Sequence, residues 1–353
     1  MQIAFRKTPV LRLTLAALIL GSATHLAAKP LVVCTEASPE GFDVVQYTTG
    51  VTFDAASETL FNRLVDFKPG TTDIQPALAE RWDISADGLT YTFHLRQGVK
   101  FHSTEYFTPT REFNADDVLW SLRRQLDPAH PWHDKTSVGY PYFESMAFKQ
   151  LLKSVDKTDD HTVVITLTRP EAPFLRDMAM GFTSIYSAEY GDQLLKAGKT
   201  AALNSKPIGT GPFIFQRYNK DAQVRFKPNP DYFRGKPPAD ALIFAIATDS
   251  NVRLQKLRAN ECQVALYPKP EDVPSIKADA RLKVAETEAL VTGYIAMNTQ
   301  HKYLNDVRVR KAINMAFDRQ THVDQLRTSV LAGKPGEPRH QFVGAPPSAL
   351  RRA

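Results

Sequence analysis

The densest pair of glycines in the chain lies in PIGTGPF, residues 207–213, and two glycines around a hydroxyl residue are what a phosphate-cradling loop uses. That chemistry needs more than the loop. A P-loop adds Lys followed by Ser or Thr at a helix start, and a dinucleotide loop adds a third glycine and an ensuing helix. Here Pro212 and the strand-like run FIFQRY follow instead, so the motif reads as a strand-entry turn in which glycine permits a positive φ. Hydrolytic chemistry finds no better footing. There is no GxSxG elbow, and the nine histidines include no HExxH and no pair at i, i+4 that would hold zinc. His94 falls on the outer face of an alternating strand. Asp116-Asp117 and Asp159-Asp160 fall at a helix start and a turn, where capping and turn roles account for them. No catalytic and no metal-ligating residue is assigned, and no cofactor is implied.

The two cysteines, Cys34 and Cys262, lack a CxxC partner and a neighbouring histidine. In a chain that leaves the reducing cytoplasm they read as one long-range disulfide, the alternative being two buried thiols. Export itself is read from the first residues. Arg6, Lys7 and Arg12 precede a short apolar run and the small residues Ala27 and Ala28, the layout of a signal peptide over residues 1–28. Trp132, Tyr140, Tyr142 and Phe143 form an aromatic group in a loop. Such rings can line a pocket, and more often staple the loop to its own domain.

The net charge of +6 suggests an anionic partner only until it is divided along the chain. The leader carries three positive charges, and residues 328–353 hold Lys334, Arg339, Arg351 and Arg352 against Glu337. The body between is close to neutral, so a nucleic-acid face is excluded.

The elements that must position any site are mixed. The 353 residues are 43% hydrophobic, enough for two cored domains. Residues 54–67 carry Ala56, Leu60, Leu64 and Val65 or Phe67 at helical spacing, with Asp54 as cap. Leu89, Tyr91, Phe93 and Leu95 alternate with polar residues after the Asp87-Gly88 turn, predicting a hairpin with one buried face. FNADDVLWSLRRQL predicts a helix capped by Asn114 with Val118, Leu119, Leu122 and Leu126 inward, and Val163, Ile165 and Leu167 alternate again. Strands are predicted at FIFQRY, QVRFKPNPDYF and ALIFAIA. A helix follows at NVRLQKLRANEC, capped by Asp249 or Ser250 with Val252, Leu254 and Leu257 partly on one face. A last helix carries Val307, Val309, Ala312, Ile313, Ala316 and Phe317. Residues 327–353, rich in Pro, Gly and Arg, have no period and read as a disordered tail or the product of a frame change.

In order along the chain, ALAERWDISADGLTYTFHLRQGVKFH, FNADDVLWSL, LTRPEAPFL, PIGTGPF, NECQV and DVRVRKAINMAFD resemble the periplasmic peptide-binding proteins of ABC importers, extracellular solute-binding family 5, over residues 29–326. CTEASPEGFDVVQYTTG and LTRPEAPFLRDMAM are most similar to its dipeptide-binding branch. The resemblance implies an α+β / α/β fold of the bilobed type II class. Residues 29–75 and 210–288 would form the first lobe, 76–209 an inserted subdomain, and 290–326 the start of an incomplete second lobe. It implies that Cys34 and Cys262 pair, that Thr48 meets the ligand's main chain with Gly50 and Thr52 as its neighbours, and that a monomer delivers dipeptides or short peptides to an inner-membrane ABC permease. Oligopeptides, haem and nickel are the alternative ligands on this scaffold, and a non-functional fragment is the alternative to a receptor. The resemblance also implies that the counter-charges for the peptide's termini lie in second-lobe sequence absent here, so weak or no peptide binding by this chain is expected.

Overall fold

Alternation of apolar and polar residues decides where the strands lie. The computed structural model describes residues 29–285 and 296–318. In chain order the strands are β1 Leu31–Thr35, β2 Val65–Phe67, β3 Ile74–Pro76, β4 Ala79–Ile84, β5 Thr90–Leu95, β6 Leu152–Asp159, β7 Thr162–Leu167, β8 Phe213–Asn219, β9 Gln223–Pro228, β10 Leu242–Ile246 and β11 Val264–Ala265. They form a five-stranded sheet ordered β11-β1-β10-β9-β8, an antiparallel four-stranded sheet ordered β4-β5-β7-β6, and the pair β2-β3. In the first sheet β1 runs parallel to both β10 and β11, while β8 and β9 are antiparallel additions. The fold class is the type II class that the motifs imply. The leader, the tail and residues 290–295 and 319–326 of the second-lobe segment lie outside the described residues.

The hairpin β4–β5 and the strand β7 fold as their alternation requires. Tyr91, Phe93, Leu95, Val163, Ile165 and Leu167 are buried, and Tyr91 packs against Phe174 with ring centroids 4.6 Å apart. Burying one such side chain contributes roughly 1.5–3 kcal/mol, so the inward face alone holds this sheet to its helices. The helix Ala115–Leu126 carries a capping box: Asn114 accepts from the Asp116 N–H, and the Asp117 carboxylate accepts from the Asn114 N–H. Asp117 is itself buried and accepts a fork of bonds from Arg111, at 2.7 and 2.8 Å.

Three expectations need correction. Residues 54–67 are not one helix. Helical backbone runs earlier, through Gly50–Thr52, a π-helical Phe53–Ser57 and Glu58–Leu60, and Asp54 makes no cap. It stops at Leu60 because the Leu60 carbonyl accepts from the Gly211 N–H at 2.9 Å, and Phe61 turns extended. Leu64 and Val65 are buried on the chain that leads into and through β2, beside the buried Arg63, which bonds Ser57, Glu58 and Asp66. In the helix Ser250–Arg258, capped by Asp249, Val252 is exposed and Arg253 takes the buried face beside Leu254. The helix Val307–Ala316 has no buried residue among those described.

The third correction concerns PIGTGPF. Neither Gly209 nor Gly211 has a positive φ. Glycine is required there by close approach: a Cβ on Gly209 would lie 2.0 Å from the Leu60 carbonyl oxygen, and one on Gly211 2.5 Å from the Leu60 carbonyl carbon. The loop is an anchor. Thr210 donates to Asn62 at 3.0 Å, and the His102 backbone N–H donates to the Gly209 carbonyl at 2.8 Å. The buried His102 ring donates from Nε2 to the Gly211 carbonyl at 3.0 Å, while Nδ1 accepts from the Gly209 N–H at 3.4 Å.

That arrangement needs a neutral imidazole. Burial pulls the His102 pKa down to about 4, against the upward pull of the Gly211 carbonyl and with help from Lys227. An unfolded histidine titrates near 6.5, so between about 6.5 and 4 the unfolded chain binds the extra proton. Stability from His102 is therefore complete above about pH 6.5 and is lost as pH falls toward 4, by up to roughly 3 kcal/mol. Asp177, raised to about 6 by burial and by Glu171, acts in the opposite sense over part of this window. The comparison is thus between the parent and His102→Gln, which keeps the donor to Gly211 without titrating. Denaturant unfolding at pH 7 and pH 4.5 is expected to give a fall in stability that is smaller in the variant. Identical falls refute the assignment to His102.

Candidate functional site

Three parallel strands, β11, β1 and β10, end on the same side of the five-stranded sheet, and in open α/β sheets ligands bind beyond the carboxyl ends of such strands. The loops that leave those ends begin at Glu36, Ala247 and Leu266. Arg253, buried in the helix after β10, ties all three. It donates from Nη1 to the carbonyls of Ala247 at 2.7 Å and Thr248 at 2.9 Å, and from Nη2 to the Tyr267 carbonyl at 3.2 Å. Its Nη2 also lies 3.9 Å from the Glu36 carboxylate. An arginine can do this because its planar fork presents five donors at fixed angles.

Tyr267 stands at the mouth of this surface, half exposed, with φ of 50°. A non-glycine residue in the left-handed region is strained, and its neighbours must hold it there. Its hydroxyl donates to Asp54 at 3.3 Å. Burial, then the Asp54 charge, pushes the phenol up to about 12. Burial raises the Asp54 carboxyl above its usual range, the Tyr267 bond opposing, with Glu58 and Glu36 adding to the rise. Glu36 and Glu58 lie within electrostatic reach of Asp54, and Glu58 is itself paired with Arg63 at 3.0 Å.

The residues named from sequence distribute as follows. Thr48 is exposed, and no hydrogen bond to its hydroxyl is recorded among the described residues. Gly50 is exposed at the first turn of the helix, and a Cβ there would sit 3.4 Å from the Tyr267 hydroxyl, which brings the two loops together. Thr52 is fully buried. Its hydroxyl accepts from the Glu40 N–H at 3.0 Å and from Thr49 at 2.9 Å, so it shapes the loop from beneath. Cys34, on β1, and Cys262, just before β11, are bonded, with Cα atoms 5.8 Å apart and a sequence separation of 228. The disulfide ties the loop after the helix to the strand that leads into the site.

Trp132, Tyr140 and Phe143 are buried, as stapling requires, and Tyr140 donates to the Trp132 and His133 carbonyls. Arg253 and Tyr267 were not singled out in the sequence. The available signal was an arginine where the helix period wants an apolar residue.

The profile of the bacterial extracellular solute-binding proteins, family 5 Middle, matches residues 73–349. The chain belongs to that family. It is 67% identical over 295 residues to Di/tripeptide-binding protein 4 of Pseudomonas aeruginosa, covering 83% of this chain and 55% of that one. It is 54% identical over 332 residues to Di/tripeptide-binding protein 2 of the same organism, covering 92% of this chain and 62% of the other. Among solved structures, a Pseudoalteromonas dipeptide-binding protein in complex with Met-Leu is similar with a TM-score of 0.78 and 35% identity, over 85% of this chain and 59% of that one. The chain thus spans less than two thirds of the length of these relatives. No helix among the described residues is long and apolar enough to cross a membrane.

Proposed function

We propose that this chain supplies the first-lobe half of a peptide cleft in the substrate-binding component of an ABC importer. The observation that carries the reading is the 67% identity to a relative named for di- and tripeptide binding. The site supports it. An exposed threonine hydroxyl, a glycine backbone and a tyrosine rim suit the main chain of a short extended peptide, whose terminal charges would find their partners in the second lobe. Residues 29–75 and 210–288 act as the first lobe, 76–209 as a subdomain inserted in it, and 290–326 as the start of the second. In the complete cleft the peptide binds the closed arrangement of the lobes better and shifts the population toward it, without chemistry on the ligand. The protein acts as a periplasmic monomer that hands its ligand to an inner-membrane permease.

Titration of the purified chain with Met-Leu and a panel of dipeptides, followed by amide chemical shifts, tests the assignment. Shifts concentrated at residues 48–50 and at Tyr267 are expected, and only at millimolar peptide, since the partners for the peptide's terminal charges would lie in the second lobe. Shifts absent from these residues up to about 10 mM peptide, or tighter capture of haem or nickel, refute the peptide reading.

A further inference from the structure

The segment between β3 and β8 builds its own sheet and helices, yet three of its residues reach back to the stretch just before the exposed loop 48–50. Asn204, at the end of the turn Thr200–Asn204, accepts at Oδ1 from the Phe42 and Asp43 N–H groups, both at 2.9 Å, and donates from Nδ2 to the Tyr47 hydroxyl at 2.7 Å. The Phe42 N–H also meets the Asn204 carbonyl at 3.1 Å. The fit is close enough that Gly41 has no room for a Cβ, which would fall 2.2 Å from Asn204 Oδ1. Arg124 grips Asp43 with both terminal nitrogens, and Gln46 accepts from the Ser137 N–H and hydroxyl at 3.2 and 3.3 Å. Between them, Asn204, Arg124 and Ser137 hold residues 41–47 from one side. Thr48 follows at once, exposed.

We propose that the inserted segment is the mould of the ligand loop, and that Asn204 is its main positioning residue: by fixing Phe42, Asp43 and Tyr47 it sets where Thr48 and Gly50 stand before a ligand arrives. This rests on the assignment of those two residues to ligand contact. The physical argument is preorganisation. A loop already ordered does not lose that freedom on binding, and a ligand gains the corresponding affinity. Asn204 suits the task because one side chain supplies an acceptor for two amides and a donor for the phenol, with no charge to desolvate beside Asp43.

The test reads loop order without ligand, by ¹⁵N relaxation on the chain as it stands. In the parent, Thr48, Thr49 and Gly50 are expected to have order parameters near 0.85, the rigid-backbone range, and in Asn204→Ala values below about 0.6. Amides of β5 and β7 are expected to stay as they were. Asn204→Asp keeps the acceptor for both amides but sets a second carboxylate beside Asp43 and loses the amide donor to Tyr47, so it is expected to restore the loop only in part. Should Asn204→Ala fail to fold, Tyr47→Phe removes the phenol contact alone and is expected to lower order at the same three residues. A loop already mobile in the parent, a loop unchanged in both variants, or a loss of order spread evenly over the chain overturns the proposal. A failed dipeptide titration with these relaxation changes intact would count against the ligand assignment and leave the mould standing.

Discussion

Gly209→Ala is expected to abolish soluble, folded protein, or to lower its stability by more than about 4 kcal/mol, the range reserved for damage with an identifiable mechanism. The added methyl has to occupy a point 2.0 Å from a backbone carbonyl oxygen and 2.9 Å from the Phe61 ring. Backbone on the far side cannot swing away like the tip of a lysine. Leu60 ends a helix there, its carbonyl held by Gly211, and residues 209 and 211 are held in turn by His102. Relief of the clash therefore breaks several buried bonds, each leaving a desolvated partner that costs about 1–3 kcal/mol. Gly98→Ala is the contrasting substitution. Gly98 has φ of 73° and open space around it, so its alanine meets only the left-handed penalty of roughly 1–2 kcal/mol. Urea unfolding of the two variants measures the difference. A Gly209→Ala midpoint no lower than that of Gly98→Ala would show that the two chain segments can separate easily, and the account of PIGTGPF as an anchor would fail.

What was legible in the sequence follows from where the information lies. The periods of β5, β7 and the helix Ala115–Leu126 are local, set by side-chain alternation and a cap within a few residues, and those elements formed where the pattern placed them. The 54–67 segment also has a helical period, but its end is decided by a bond from Gly211, some 150 residues away, which no local pattern encodes. The same holds for the polar residues that build the site. Arg124 sits in a helix whose apolar stripe suggests that an arginine faces solvent, yet it is fully buried against Asp43, 81 positions earlier. Asn204 acts across 161 and 162 positions and Arg253 across 6 and 14, through backbone amides and carbonyls, which every residue possesses and no composition distinguishes. Thr48 was reached by resemblance alone, and Thr52, named as its neighbour, serves the loop from within.

Asp43→Asn is expected to cost about 3–5 kcal/mol, the usual price of leaving one member of a buried ion pair alone. The substitution keeps shape and one oxygen but turns the other acceptor into a donor, facing the guanidinium of Arg124 and the amide of Gln46. Arg124 has nowhere to take its charge. It is buried, with the rings of Trp120, Trp132, Tyr140 and Tyr186 at 5.5, 5.5, 5.7 and 5.6 Å from its guanidinium carbon. Burial works against its proton, and the Asp43 carboxylate more than offsets this, holding the guanidinium pKa above its ordinary range. Arginine does not deprotonate in response, so the unpaired charge persists and the cage must open to water. The aromatic faces supply a compensating attraction, on the order of 2 kcal/mol for a desolvated contact, which places the loss within that range rather than above it. In the double variant Asp43→Asn, Arg124→Met the charge is gone and a flexible apolar chain fills the ring-lined space. It is expected to be at least 1 kcal/mol more stable than Asp43→Asn alone. Urea midpoints for the parent, the two single variants and the double close the cycle. Additive effects would mean that Arg124 is held by its rings and that Asp43 contributes no more than an exposed carboxylate would.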